Sequence, residues 1–274
     1  MSNILGYQNK NVVVTGAASG MGAACAERLV EAGANVYALD INEVSAAVTK
    51  SINVNIMDKA SITAAVAELP DEIFSLFNCA GVPCPPVPPY NTVMINFVGM
   101  RELTRQLLPR ISKNGSIASI ASTAGMAWRT NKDNVDKFLT NDSFEAADAW
   151  LQSEEGAAIS ADGYAFSKQC MIVYMFNMAG ELAKKHIRIN TICPSPTESA
   201  FSEQMEEIGL GKDVTDLFTP ANGQYADGSD MGDALVAINS NLFRFVSGCL
   251  IPVDWGYTAE ITVGQRDNLM NISL

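Results

Sequence analysis

Short β-branched apolar runs alternate along this chain with longer stretches whose apolar residues recur at every third or fourth position. The short runs are Asn11–Val14, Asn35–Leu39, Ser51–Ile56, Ser75–Phe77, Gly115–Ile120, Arg188–Cys193 and Cys249–Asp254. Runs of this length, rich in Val and Ile and closed by Gly, Asp, Asn or Pro, predict buried strands. The longer stretches predict helices from Ala23 through Val30, Ser61 to Leu69, Val93 to Ile111, Tyr164 to Lys185 and Met231 to Phe243. Strand and helix in strict alternation predict an α/β fold, a Rossmann-like doubly wound parallel sheet of about seven strands with helices on both faces. No repeat or linker interrupts the pattern, so residues 1–274 are expected to form a single domain. Residues 126–160 fit the alternation least and read as an insertion before the helix that starts at Tyr164. Within it, Asp142 to Leu151 predicts one short helix. The insertion could wall a pocket or be a surface excursion.

Chemistry gathers where the strands end. The first strand runs into Thr15-Gly16-Ala17-Ala18-Ser19-Gly20-Met21-Gly22 and then a helix. Glycines there allow a tight turn and let a pyrophosphate reach the backbone, where the helix start supplies N–H donors and positive potential. The second strand ends at Asp40, about twenty residues on, placed to accept hydrogen bonds from adenosine ribose hydroxyls and to repel a 2′-phosphate. Neither Ile41-Asn42 nor Ala17-Ala18-Ser19 offers a cation for that phosphate, which points to NAD rather than NADP. Ser122 follows the fifth strand, at the carboxyl edge where open α/β sheets bind ligands. Tyr164 and Lys168, four apart, share a helix face, and an ammonium near a phenol favours its ionised form. Asn96 is a polar residue in an apolar stripe and needs a partner. The run Pro83 to Pro89 is too rich in proline for helix or strand, and is either a stiff connector or the rim of a pocket.

Composition narrows the function further. A net charge of −12 and a pI near 4.5 leave no basic face for nucleic acid. No apolar run reaches membrane-spanning length and no secretory leader is visible, so a cytoplasmic protein is expected. The six cysteines show no paired spacing and read as reduced thiols. The one histidine, His186, closes a Lys-Lys-His run and reads as a helix C-terminal cation, so neither a zinc site nor a Ser-His-Asp triad is expected.

With these marks in order, the chain resembles the short-chain dehydrogenase/reductase family over nearly its whole length. The marks are T-G-x-x-x-G-x-G at Thr15–Gly22, Asp40, N-x-A-G at Asn78–Gly81, Asn96, Ser122, Y-x-x-x-K at Tyr164–Lys168 and V-D-x-G at Val253–Gly256. The long stretch before Tyr164, with Ala80–Pro83 and Ile251–Asp254, looks like the branch of hydroxysteroid and coniferyl-alcohol dehydrogenases. The resemblance implies a catalytic tetrad of Asn96, Ser122, Tyr164 and Lys168. Tyr164 would exchange the alcohol proton, and Lys168 would depress its pKa while binding the nicotinamide ribose. Ser122 would bond the substrate oxygen, and Asn96 would hold a water linking Lys168 to solvent. NAD contacts are implied at Gly16, Ser19, Gly20, Met21, Gly22, Asp40, Ile41, Asn55, Ile56, Asn78, Ala80, Gly81, Tyr164, Lys168, Pro194, Thr197 and Ser199. The expected activity is NAD-dependent interconversion of a bulky steroid-like, terpene-like or aryl alcohol and its carbonyl compound, by a homodimer or homotetramer. The alternative is a non-catalytic NAD-binding regulator on the same fold. Four positions depart from the family pattern: Asn55 and Ser195 stand where Asp and Gly are usual, Ser199 replaces a threonine, and Trp255 replaces a glycine.

Overall fold

A computed structural model describes residues 4–197, 217–269 and 271–272. Seven parallel strands form one sheet in the order β3-β2-β1-β4-β5-β6-β7. They are β1 (Asn11–Thr15), β2 (Asn35–Asp40), β3 (Lys50–Asn53), β4 (Ile73–Asn78), β5 (Ile111–Ile120), β6 (Arg188–Pro194) and β7 (Leu250–Val253). The seven sequence runs all become strands. β3 stops at Asn53, three residues short of the expected end, where Asn55 turns the chain by accepting the Met57 N–H and the Ser61 hydroxyl accepts the Asn55 N–H. The central strands β4 and β6 are buried along their whole length, as strands covered on both faces must be.

Helices cover both faces: α1 (Gly20–Glu31), α2 (Lys59–Ala67), α3 (Pro89–Val93), α4 (Met100–Leu107), α5 (Lys132–Leu139), α6 (Phe144–Leu151), α7 (Glu154–Ile159), α8 (Gly163–Lys184), α9 (Gly228–Asn239) and α10 (Tyr257–Thr262). One core lies between the sheet and α1 and α9, with Cys25, Leu29, Val36, Met231 and Leu235 buried in it. The other joins the opposite face to α2, α4 and α8. The helix expected over Val93–Ile111 is not continuous. It begins at Pro89, where proline suits a first helical turn, and widens to a π-helical turn over Met94–Gly99. It then runs on as α4 and closes in a 3-10 turn at Leu108–Arg110.

The insertion holds more structure than its single expected helix. A 3-10 segment over Thr123–Asn131 leads into α5, α6 and α7. Ser143 and Ser153 cap α6 and α7 through their hydroxyls. Phe138 is fully buried and touches the rings of Phe97, Trp150 and Phe166 at centroid distances of 5.8, 5.0 and 5.4 Å. The insertion is therefore a wing of the main core laid against α8 and the π turn, not a loose excursion. His186 sits just past α8 in a left-handed conformation (φ 57°), bonded through its backbone to Ala183 and Asn114. Among the described residues, no helix is long and apolar enough to cross a membrane.

Candidate active site

Because all seven strands are parallel, their carboxyl ends share one edge, and the strand order reverses direction beside β1, between it and β4. That switch point is where open α/β sheets leave a crevice. The glycine turn lies there. Gly16 and Gly20 have φ of +66° and +54°, a region that L side chains rarely occupy. A Cβ on Gly16 would stand 2.7 Å from the Ala80 backbone, and one on Gly22 would stand 2.1 Å from the Gly16 carbonyl oxygen. The turn is folded so tightly on itself and on the end of β4 that no side chain fits at either position.

Ser19 begins α1 with extended backbone and no side-chain cap. Elsewhere Asp58, Ser143, Ser153, Asp162 and Asp227 cap their helices through side-chain oxygens. The first turn of α1 also lacks an acidic residue. Its N–H groups and positive dipole end are thus left for an external anion, which suits a pyrophosphate. Thr15 has a role not read from the sequence. Its hydroxyl accepts the N–H groups of both Cys79 and Ala80 at 3.0 Å and so ties the glycine turn to the loop after β4. The threonine immediately before Gly16 was the available signal.

At the end of β2 the two Asp40 oxygens accept the Ala18 and Asn42 N–H groups, each at 2.9 Å. The carboxylate braces the glycine turn and keeps further lone pairs for a ribose. Ile41 is exposed beside it. Asn55 is exposed with its side-chain oxygen on Met57, and Ile56 is buried next to it. Asn78 turns inward instead. Its amide donates to Thr104 and Ser119 at 3.2 Å each, so its side chain braces β4 against α4 and β5 and does not face the crevice. Ala80 and Gly81 follow on the crevice side of the turn. Pro194 ends β6, and the Thr197 hydroxyl donates to the Ser195 carbonyl at 2.9 Å. Ser199 lies outside the described residues.

The four tetrad residues converge. Ser122 leaves β5 with its hydroxyl accepting the Ala124 N–H at 3.2 Å, close enough to the Tyr164 phenol to favour its ionised form. Lys168 lies one turn along α8, buried, with its ammonium donating to the Ile120 carbonyl at 2.8 Å. A Cβ on Gly125 would stand 2.8 Å from the Lys168 backbone, so a glycine there lets the turn after Ser122 press on α8. Asn96, in the π turn, is fully buried. Its oxygen accepts the Val82 N–H at 2.8 Å, and its amide donates to the Val82 carbonyl at 2.9 Å and to Ser167 at 3.3 Å. The partner that this polar residue needed is Val82. A Cβ on Gly81 would stand 3.4 Å from the Asn96 oxygen and 3.6 Å from the Lys168 nitrogen, in ordinary contact with both, so Gly81 lies directly beside the two polar groups.

Electrostatics of the group run against one simple expectation. Burial lowers the Lys168 pKa to about 8, because a charged ammonium is costly away from water. Burial also raises Tyr164 to about 12, with the Ser122 hydroxyl pulling it back down. Lys168 stands over the Tyr164 ring, 5.6 Å from its centroid. The ammonium thus meets the face of the ring, and burial is what dominates the phenol.

An open parallel sheet with a glycine turn at its switch point, and Ser, Tyr and Lys grouped at the same edge, defines a dinucleotide-dependent oxidoreductase. Comparison with known proteins narrows the class. Residues 10–132 match the family model described as short chain dehydrogenase, and residues 149–258 match the related model described as enoyl-(acyl carrier protein) reductase. The chain belongs to the short-chain dehydrogenase/reductase family, whose members act on alcohol and carbonyl substrates with a nicotinamide dinucleotide. It is 29% identical to a coniferyl-alcohol dehydrogenase from Pseudomonas sp. strain HR199, over 90% of this chain and 96% of that one. It is 26% identical to a 3-alpha-hydroxysteroid dehydrogenase/carbonyl reductase of Comamonas testosteroni, over 93% and 98%. In fold it is similar to the 3-alpha-hydroxysteroid dehydrogenase of Pseudomonas sp. B-0831, solved with NADH, at a TM-score of 0.75 and 20% identity over 92% and 98% of the two chains.

Proposed function

We propose that this single-domain chain is an NAD-dependent alcohol dehydrogenase/carbonyl reductase for a bulky steroid-like, terpene-like or aryl alcohol. The convergence of Ser122, Tyr164 and the buried Lys168 at the edge shared with the glycine turn carries the reading. When bound, the dinucleotide supplies the hydride donor or acceptor. The first turn of α1 holds its pyrophosphate through Gly20, Met21 and Gly22, and Asp40 takes the adenosine ribose. Ile41, Ile56, Ala80, Gly81, Pro194 and Thr197 lie along the same edge and complete its bed. Ser122 bonds the substrate oxygen, where charge develops, and Tyr164 exchanges its proton. Lys168 holds the nicotinamide ribose and keeps a positive charge next to the phenol. Asn96 fixes the Val82 backbone beside Gly81 and Lys168 through its side-chain amide.

Specificity for NAD over NADP rests on Asp40, whose carboxylate is already fixed by two backbone N–H groups and would oppose a 2′-phosphate. Preference for a bulky alcohol rests on similarity to the hydroxysteroid and coniferyl-alcohol enzymes. The insertion occupies a flank of α8, so the homodimer or homotetramer we expect would associate through other surfaces.

A panel of steroid, terpene, aryl and sugar alcohols with NAD or NADP, followed by reduced-cofactor absorbance, tests the proposal. Turnover of a cyclic or aryl alcohol with NAD, lost in Tyr164→Phe, is the expected result. Unchanged turnover in that variant would overturn the mechanism, and a preference for NADP would overturn the reading of Asp40. NAD binding with no turnover of any alcohol would favour a non-catalytic regulator.

A further inference from the structure

The first turn of α8 carries a glycine, Gly163, immediately before Tyr164, and the tetrad does not account for it. Gly163 is buried, and a Cβ built on it would stand 2.6 Å from both the Cα and the carbonyl oxygen of Pro89, the first residue of α3. The opposing atoms are backbone and cannot swing aside. α3 is itself held: the Tyr90 phenol donates to Asp148 of α6 at 2.8 Å, Val93 is fully buried, and the chain runs directly into the π turn. That turn reaches α8 a second time. The Asn96 amide donates to the Ser167 hydroxyl at 3.3 Å, and this hydroxyl donates to the Tyr164 carbonyl at 2.7 Å. One segment, Pro89 to Asn96, thus grips the first turn of α8 before and after Tyr164, at Gly163 and at Ser167. Next along the helix, a Cβ on Gly125 would stand 2.8 Å from the Lys168 backbone. Gly180, near the far end of α8, has no neighbouring atom within 4 Å of the place a Cβ would take.

We infer that Gly163 is a positioning residue for the Tyr164 phenol: its missing side chain lets α8 start flush against Pro89, and that seat sets where Tyr164 enters the site. Glycine weakens a helix relative to alanine, so its presence here is explained by the contact and not by the helix. A methyl group at 163 would need about 1 Å more room to reach ordinary contact with Pro89. Because α3 is held by its own core contacts and by Asp148, the start of α8 must take up most of that shift. Tyr164 is the next residue and would carry the shift to its phenol, changing its distance from Ser122. Lys168 lies a turn further on and is held at Gly125, so it would move less. The glycine turn and Asp40 belong to the ends of β1 and β2 and would not move with α8. The lesion expected from a side chain at 163 is therefore in proton exchange, with dinucleotide binding spared.

The inference rests on the reading of Tyr164 as the group that exchanges the alcohol proton, and its test separates the two. Gly163→Ala, Ser167→Ala and Gly180→Ala would be compared with the wild type in the full chain, with NAD and the alcohol found by the substrate panel. Gly163→Ala should lower kcat about 30-fold while the Kd for NAD stays within about twofold, since a shift of about 1 Å at a reacting group is costly and the cofactor bed is untouched. The solvent deuterium isotope effect on kcat should rise and its pH profile should shift, because proton exchange becomes the slow step. A mere loss of folded enzyme would move neither. Ser167→Ala removes the second grip but keeps the seat on Pro89, and should lower kcat about threefold with a smaller rise in the same isotope effect. Gly180→Ala adds the same methyl to the same helix in open space, and should raise the thermal midpoint with wild-type kinetics. Wild-type kcat in a folded Gly163→Ala, or a fall in kcat with isotope effect and pH profile unmoved, would overturn the inference. Should Gly163→Ala not fold, Ser167→Ala decides: wild-type kinetics overturn the inference, and a reduced kcat with a raised isotope effect supports it. If the wild type turns over no alcohol, the functional reading fails, and hydrogen exchange of the Ala165 and Phe166 amides, both bonded to Asp162, still tests the seat. Faster exchange in Gly163→Ala than in Gly180→Ala upholds it, and equal exchange in the two sinks it.

Discussion

The glycine turn at Thr15–Gly22 and the insertion over residues 126–160 both border the site region, and they are held in place by opposite means. In the turn the backbone does the packing. Gly16 and Gly22 approach backbone atoms so closely that a single methyl group would collide at 2.7 and 2.1 Å. In the insertion the side chains do it, through Phe138 and Trp150 packed against each other and against Phe166 of α8 at centroid distances of 5.0 to 6.4 Å. A backbone contact admits one residue type and leaves a motif. An aromatic cluster admits many residues of similar volume and leaves only hydrophobicity. This is why the turn could be read as a nucleotide cradle while the three helices and the 3-10 segment of the insertion were reduced to one.

The sharpest way to break the comparison is Gly22→Ala. Its methyl would meet the Gly16 carbonyl, which belongs to rigid backbone, so the turn must open. We expect NAD affinity and kcat/KM each to fall by at least about 100-fold, read by calorimetric titration and steady-state kinetics. Wild-type affinity in this variant would mean that the turn has slack that its geometry denies. The matching change on the other side is Phe138→Ala, which empties the centre of the aromatic cluster. It should cost about 3–5 kcal/mol in denaturant unfolding yet leave NAD affinity within about twofold, because the cavity is remote from the turn. A large loss of NAD binding there would show that the two regions are one cooperative unit.

Lys168 stands between the two regimes, being placed by backbone contact at Gly125 and buried like a core residue. Its pKa falls from 10.5 unfolded to about 8 folded, so its charged form is disfavoured in the native state. The associated stability is present above pH 10.5, where both states are neutral, and is lost as pH falls through 8, where the native state must carry the buried charge. Lys168→Met should therefore abolish turnover while raising stability at pH 7 by an amount on the order of 3 kcal/mol. That gain should shrink between pH 8 and 10.5 and vanish above it. Urea unfolding across this pH range checks the sign, and a destabilised variant at pH 7 would refute it.

Much of the site was legible because its chemistry depends on spacing. Tyr164 and Lys168 are joined by one helical turn, and Ser122 and Asp40 stand at strand ends that the alternation of apolar runs already locates. What stayed hidden depends on where side chains point. Asn78 belongs to a recognisable N-x-A-G, yet its amide faces Thr104 and Ser119 within the fold, and nothing in the four letters distinguishes that from facing a ligand. Asn96 was singled out as needing a partner, but the partner is the Val82 backbone on the loop after β4, which no pattern within the helix itself points to. Thr15 was hidden for the same reason, since the two N–H groups its hydroxyl accepts belong to the loop after β4.

Trp255 is the position where the two ways of holding the chain conflict, and it yields the smallest expected effect. It occupies a left-handed conformation with φ of 48°, between Asp254, which accepts the Gly256 and Thr258 N–H groups, and Gly256 at φ 89°. The turn from β7 into α10 thus demands a glycine-like backbone, as at Gly16, but here no neighbour blocks a side chain and the indole is 78% exposed. The backbone strain is tolerated because nothing collides, and little burial offsets it. Trp255→Gly should relieve strain in the folded state but add conformational freedom to the unfolded chain, and these two effects nearly cancel. We expect a net stabilisation of ~0.5 kcal/mol, seen as a small rise in thermal midpoint, with NAD affinity unchanged. A loss of more than about 1 kcal/mol would mean that the indole makes a stabilising contact which its exposure in the monomer does not show, and would turn attention to an interface between copies of the chain.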